Sequence, residues 1–118
     1  MIIYKKYFFE TAHYMPGFPK KHKYSKIHGH SYEMVIYIEG NTETKHGWVF
    51  NFEKLDKLIL PLINIIDHNL LNEITDLEFP TSENIAKWFW NKLIKDIDQL
   101  RKIEIIRPRS GGCFYEGK

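Results

Sequence analysis

The sequence predicts an α+β fold in which helices lie on one face of an antiparallel sheet. Three observations carry that reading. Residues 31–40, SYEMVIYIEG, alternate Tyr32, Met34, Ile36 and Ile38 with Glu33, Val35, Tyr37 and Glu39, the period of two that marks a strand. Between residues 52 and 97, apolar residues recur at helical spacing in two runs separated by turn chemistry. Short strand-like runs then occupy the tail. Residues 1–118 are expected to form one domain, long enough to enclose a core.

Taken in order, IIYKKYFF (residues 2–9) is rich in β-branched and aromatic residues and predicts the first strand, with His13 just past its end. Residues 14–27 form a polar, Pro-containing stretch whose length in a compact domain points to function. After the strand in 31–40, Gly40-Asn41 opens a turn, and GWVFNF (47–52) predicts a shorter third strand. Asn51 is placed to cap a helix from Phe52, with Leu55, Leu58, Ile59, Leu62 and Ile66 on one face and Pro61 expected to kink or end it. PTSEN (80–84) starts a second helix, with Thr81 as N-cap and Glu83 near the positive end of the dipole. Ile85, Trp88, Phe89, Leu93 and Ile97 then form an apolar stripe suited to core packing. KIEII (102–106) and GCFYEG (112–117) are two strands around a Pro/Gly turn, giving the order β-β-β-α-α-β-β.

Composition narrows the function classes. Hydrophobic residues are 43% and charged residues 27%, as in a soluble globular protein, and aromatics reach 15%. A net charge of +2 gives no electrostatic argument for nucleic acid or an anionic membrane. The run Lys20–Lys23, KKHK, fits a solvated loop as well as a phosphate site. With Cys113 as the single cysteine, an internal disulfide and a cysteine-based zinc site are both excluded. No run approaches the ~20 apolar residues of a membrane span, and no secretory leader is read. The cytoplasm is the expected location.

The histidines carry the chemistry. In an extended strand, residues two apart share a side, so His28 and His30 can face one point, and an antiparallel neighbour can bring His13 there. Three neutral imidazoles suit Zn²⁺ and leave a fourth position open, as catalytic zinc requires. A bare His-x-His is also met as one packed and one solvated histidine on a strand.

FETAH (9–13), HGHSYEM (28–34), DHNLLN (67–72) and PTSEN (80–84) occur in this order and resemble the 6-pyruvoyl-tetrahydropterin synthase family. Its bacterial branch includes 6-carboxy-tetrahydropterin synthase of queuosine biosynthesis. The resemblance implies a tunnelling fold: a four-stranded antiparallel sheet with two helices on one face, closing into a barrel as a trimer or a hexamer of two trimers. Closure would also remove exposed sheet edges. It implies Zn²⁺ on His13, His28 and His30, and 7,8-dihydroneopterin triphosphate as the pterin-type substrate, with elimination of triphosphate. It further implies an Asp67–His68 proton relay and pterin contacts from Thr81 and Ser82. Adjacent residues are not expected to make a linear carboxylate–imidazole pair, so a relay partner is expected from a neighbouring subunit. A helix C-terminal histidine favoured by the dipole is the plainer account of His68.

Two positions depart from the family's pattern. The family's cysteine base stands four residues before His28, where this chain has Tyr24. A phenol titrates near ~10 against ~8.5 for a thiol and is the poorer base. Tyr24 can act with its pKa lowered by its surroundings, His22 or Ser25 can stand in, or Tyr24 can pack over the pocket. The second departure is Arg107, at the place of a glutamate that accepts the pterin's N–H groups. A guanidinium only donates, and favours carboxylates, phosphates or carbonyls. A slipped strand would bring Glu104 or Glu116 towards the pocket instead. Cys113 is expected as a buried thiol on the last strand. Beside the zinc lyase, these departures leave open a family member diverged to a more anionic substrate, or a zinc-binding oligomer without lyase activity.

Overall fold

The computed structural model describes residues 1–118. Four strands form one antiparallel sheet in sequence order: β1 (Ile2–His13), β2 (His28–Glu39), β3 (Leu100–Arg107) and β4 (Gly111–Tyr115). Helices α1 (Phe52–Ile66) and α2 (Ser82–Leu93) connect β2 to β3 and cover one face. The α+β class is as the sequence predicts, and the four-stranded sheet is as the family resemblance implies.

Several boundaries differ. β1 runs four residues beyond the expected strand and carries His13 inside it, because β2 also starts early and pairs Thr11 with His30, Ala12 with Gly29 and His13 with His28. The third strand expected at residues 47–52 does not form. There the backbone folds back on itself, Trp48 O accepting from Glu43 N and Glu43 O from Gly47 N, while Gly47 takes a φ of +78°. Val49 is buried and its carbonyl accepts from Gln99 Nε2, so the segment is an anchored connection with no strand to pair with. α1 continues through Pro61 to Ile66. Packing of Leu55, Ile59, Ile63 and Ile66 outweighs the hydrogen bond the proline ring removes. α2 ends at Leu93, and Ile97 reaches the core from the turn that follows.

Asn51 and Thr81 cap the two helices as expected, accepting from Glu53 N and Asn84 N at 2.8 and 3.1 Å. The core lies between the helices and the odd positions of β1 and even positions of β2, with Phe9, Met34, Ile36, Phe89, Ile103 and Ile105 fully enclosed. Each such side chain stabilises the fold by ~1.5–3 kcal/mol. Gly112 is demanded by packing: a Cβ there would lie 2.1 Å from Ile105 O. The opposite sheet face has no covering layer and exposes Tyr4, Phe8 and Phe114.

Candidate functional site

At one end of the sheet the core face changes from apolar side chains to histidines. The register places His13 directly across from His28, with His30 two residues along on the same side. The three rings lie edge to face with centroids 4.6, 4.9 and 5.0 Å apart, and one nitrogen from each falls within 4.8 Å of the others. Gly29, between the two β2 histidines, lets the strands approach closely, since a Cβ would meet Thr11 O at 3.3 Å.

Backbone carbonyls orient two of the rings. His13 Nδ1 donates to Pro80 O over 2.9 Å, and His28 Nδ1 donates to Lys26 O over 2.7 Å. Each Nε2 is therefore left with a lone pair, and these two atoms face each other across 3.0 Å. Two lone pairs at that distance repel unless something electron-poor lies between them. A divalent metal meets that need, and an outer hydrogen bond from each ligand to a carbonyl is the usual support of metal-binding histidine. Burial lowers the pKa of His13, and burial with the neighbouring charges of His13, Arg107 and His28 brings His30 down to about 4. Both rings are thus neutral at pH 7, the state that ligates. The residues present fit a metal ion.

The PTSEN and DHNLLN segments hold this end in place. Pro80 supplies the carbonyl to His13. Asn72 grips the chain just after His13, its Oδ1 accepting from Tyr14 N at 3.0 Å and its Nδ2 donating to Tyr14 O at 2.8 Å. Ala12 N donates to Asn69 O, and Asp67 Oδ1 accepts from Glu10 N at 2.9 Å.

The triad opens into a cavity of about 490 Å³, within the ~300–1,000 Å³ of small-molecule sites. Four residues singled out from the sequence, Tyr24, Thr81, Ser82 and Arg107, line it together with Met15, Phe18, Lys23, Tyr32 and Glu83. Residues 14–27 thus form one wall. Tyr24 sits on a short 3-10 turn, Lys23–Ser25, in an aromatic cluster with Phe18 and His22 at centroid distances of 5.3 and 4.7 Å. Neither stand-in base is on the cavity wall: His22 Nδ1 accepts from Tyr24 N, and Ser25 Oγ is bound to Lys20 O and His22 O.

The strand slip does not occur. Arg107 pairs with Gly111, Glu104 accepts from Tyr37 on the uncovered face, and Glu116 is bound by Arg101. Cys113 is half-buried and its thiol pKa is raised, by burial first and then by Glu83 and Glu104.

Sequence reasoning missed two groups. Glu83, assigned only to the helix dipole, is the one carboxylate on the cavity wall. Its place in the first turn of a helix whose N-cap already lines the cavity was the available signal. Tyr32, read only as one of the alternating positions of a strand, also lines the cavity, and its hydroxyl is buried without a hydrogen bond of good geometry, as is that of Thr11. Burial raises the Tyr32 pKa to about 12.

Asp67 and His68 do pair directly, contrary to expectation: His68 Nδ1 lies 2.9 Å from Asp67 Oδ2. The reason is local. His68 adopts a left-handed backbone, φ +60°, which turns its ring back onto the preceding carboxylate. The Glu10 N–H first, then His68, lowers the Asp67 pKa. The pair does not line the main cavity; His68 lies on a shallower one with Glu10, Thr11 and Ser31, and His30 borders both.

A small antiparallel sheet backed by two helices, with three convergent histidines at one end and a cavity in front of them, defines a class of compact proteins with a metal-capable centre. The chain belongs to the 6-pyruvoyl tetrahydropterin synthase family, whose profile matches residues 2–118. It is similar to a 6-carboxy-5,6,7,8-tetrahydropterin synthase of Synechocystis, 34% identical, with 97% of this chain and 92% of that protein covered. It is also similar to a dihydroneopterin monophosphate aldolase of Pyrococcus furiosus, 35% identical over 90% of this chain and 86% of that protein. In fold it matches the 6-pyruvoyl tetrahydropterin synthase of Caenorhabditis elegans with a TM-score of 0.89 at 23% identity, covering 100% of this chain and 96% of that one. No helix is long and apolar enough to cross a membrane.

Proposed function

We propose that the chain is a zinc-dependent carbon–oxygen lyase acting on 7,8-dihydroneopterin triphosphate, eliminating triphosphate in the manner of the 6-carboxy and 6-pyruvoyl synthases. The observation that carries this reading is the facing pair of Nε2 lone pairs on His13 and His28, with His30 beside them. Zinc on these three histidines would polarise the substrate's side-chain oxygens and acidify the neighbouring C–H bonds. The family membership and the names of its relatives favour this reading over a diverged substrate or a non-catalytic zinc protein.

The chain's own residues then have separable tasks. Thr81 and Ser82 hold the pterin ring at the start of α2. Glu83 offers the acceptor for the ring's N–H groups that Arg107 cannot be. Tyr24 closes the wall over the ring, held by its aromatic neighbours. Proton movement belongs to Asp67–His68, where the carboxylate holds the imidazole in one tautomer and orientation. His68 is exposed and off the main cavity, so the relay serves the pocket of a neighbouring subunit in a homo-oligomer, a trimer or hexamer. The uncovered sheet face and the two unpaired edges at β1 and β4 supply surfaces for such an assembly. Residues 1–118 act as one domain in the cytoplasm.

The test is direct. Purified protein is assayed for bound metal and incubated with 7,8-dihydroneopterin triphosphate, with released triphosphate and the pterin product followed by mass. The expected result is zinc near one per subunit, triphosphate release, and turnover retained in Tyr24→Phe. Zinc without triphosphate release rejects the lyase reading. The product mass assigns the reaction type, and a 6-carboxy product places the protein in queuosine biosynthesis.

A further inference from the structure

Arg107 is the part of the pocket that the proposed chemistry leaves unused. From the last residue of β3 its side chain reaches the triad, Nη1 donating to His30 Nε2 over 3.2 Å and Nη2 to Ser110 Oγ over 3.3 Å. Both partners are neutral, and none of the chain's ion pairs includes Arg107. A guanidinium has five N–H donors and keeps its charge in proteins, so a half-buried cation with unspent donors stands in the cavity. On the same wall, the Tyr32 hydroxyl is buried and unpartnered, with the whole residue only 2% exposed. The Thr11 hydroxyl lies close enough to influence it but makes no hydrogen bond of good geometry, so the Tyr32 donor remains open to a better acceptor.

The contact with His30 creates a conflict. The Nε2 lone pair serves a guanidinium or a metal, not both at once. Metal on the triad would also share the cavity with a fixed positive charge, and like charges in a partly buried site repel strongly. An anion held by both removes the conflict. It gives Arg107 a charged acceptor to replace His30, and it neutralises part of the metal's charge.

Resting on the zinc reading above, we infer that Arg107 and the histidine triad form one composite anion site. Without metal, Arg107 caps His30. With metal bound, a carboxylate or phosphate group of the ligand is shared between the metal and Arg107, with the Tyr32 hydroxyl as a further donor. Metal affinity and anion affinity are then coupled, each raising the other by the same factor. A phosphate on the proposed substrate has the required chemistry, so the site favours phosphorylated or carboxylated pterins over neutral ones.

Zinc affinity of the intact protein, measured by competition with a chromogenic chelator, tests this without any turnover assay. Wild type, Arg107→Met, Tyr32→Phe and His28→Ala are compared at fixed ionic strength, alone and with acetate or inorganic phosphate. Arg107→Met is expected to bind zinc about tenfold more tightly than wild type without anion, a difference of ~1.4 kcal/mol. Anion is expected to tighten wild type by a similar factor, Tyr32→Phe by less, and to leave Arg107→Met unchanged. Acetate acting alone identifies a carboxylate site, and phosphate acting alone identifies a phosphoryl site. If His28→Ala binds zinc as wild type does, the zinc reading fails and the inference with it. If His28→Ala loses zinc but wild type and Arg107→Met bind equally and neither responds to anion, the inference alone is overturned. Arg107→Gln, which removes the charge while keeping a polar side chain, replaces the Met variant should that one melt early.

Discussion

The histidine triad and the Asp67–His68 pair use similar residues under opposite structural rules. The triad is set by strand register: His13 and His28 are cross-strand partners, His13 is only 4% exposed, and carbonyls from two loops fix the His13 and His28 rings. The pair is set by one left-handed residue at the end of α1, and the His68 side chain is 78% exposed. The triad has its geometry complete within one chain. The pair is an oriented acid–base group on a shallow, open surface outside the main cavity. A site can thus be divided between a part that must be rigid, because ligation distances are strict, and a part that need only be correctly oriented when a second surface arrives.

The largest expected effects separate the two. His28→Ala is expected to lose stoichiometric zinc and all measurable triphosphate release. His68→Ala should keep its zinc and its fold while turnover falls by ~10²–10⁴, the usual worth of a positioned acid–base group. Metal analysis beside a turnover assay checks both. Co-expression of the two inactive variants sharpens the point, because a pocket from one subunit and a relay from another restore function in about a quarter of composite sites. No recovery in verified mixed oligomers would place the relay and the pocket in the same subunit.

A smaller effect is expected where the two regions share a support. Asn72 holds Tyr14 by two hydrogen bonds and lies in the segment that also carries Asp67 and His68. Asn72→Ala leaves the Tyr14 N–H and carbonyl without these partners, which costs ~1–3 kcal/mol for a part-buried group. Urea melts of metal-free protein measure it. Weaker zinc binding should accompany the loss, because His13 is the residue before Tyr14.

These two regions also differ in how far the sequence disclosed them. Strand alternation makes the side-chain direction of His28 and His30 legible, and the helix-capping residues Asn51 and Thr81 were readable from type and position. The four motifs supplied the rest of the triad. What could not be read was set by pairing between distant segments. β1 extends to His13 only because β2 begins at His28, and GWVFNF fails as a strand because no neighbour is available, although its composition suits one. The Asp67–His68 contact depends on a positive φ at a residue that rarely adopts one, which no pattern of residue types signals. Glu83 and Tyr32 were read as helix-end and strand-alternation residues because each also satisfies that simpler role.

The smallest expected effect is a difference in pH window. His30 has a folded pKa near 4, and that of His13 is also lowered, against ~6.5 for unfolded histidine. In metal-free protein the unfolded chain therefore binds more protons than the folded one in this range, and stability rises with pH. The contribution of the triad is complete above ~6.5 and is lost as pH falls from there towards 4. Asp67 is lowered too, but from the carboxylate range, so its contribution is complete above ~3.9 and is lost only as pH falls below that. Acidification should weaken the triad end first and the relay end second. Urea midpoints of metal-free wild type, His30→Gln and Asp67→Asn between pH 7 and ~3 test the order. His30→Gln should flatten the upper part of the profile and Asp67→Asn the lower part. The reverse assignment would mean that the burial of His30 does not control its charge, and that the triad is not held neutral by the fold.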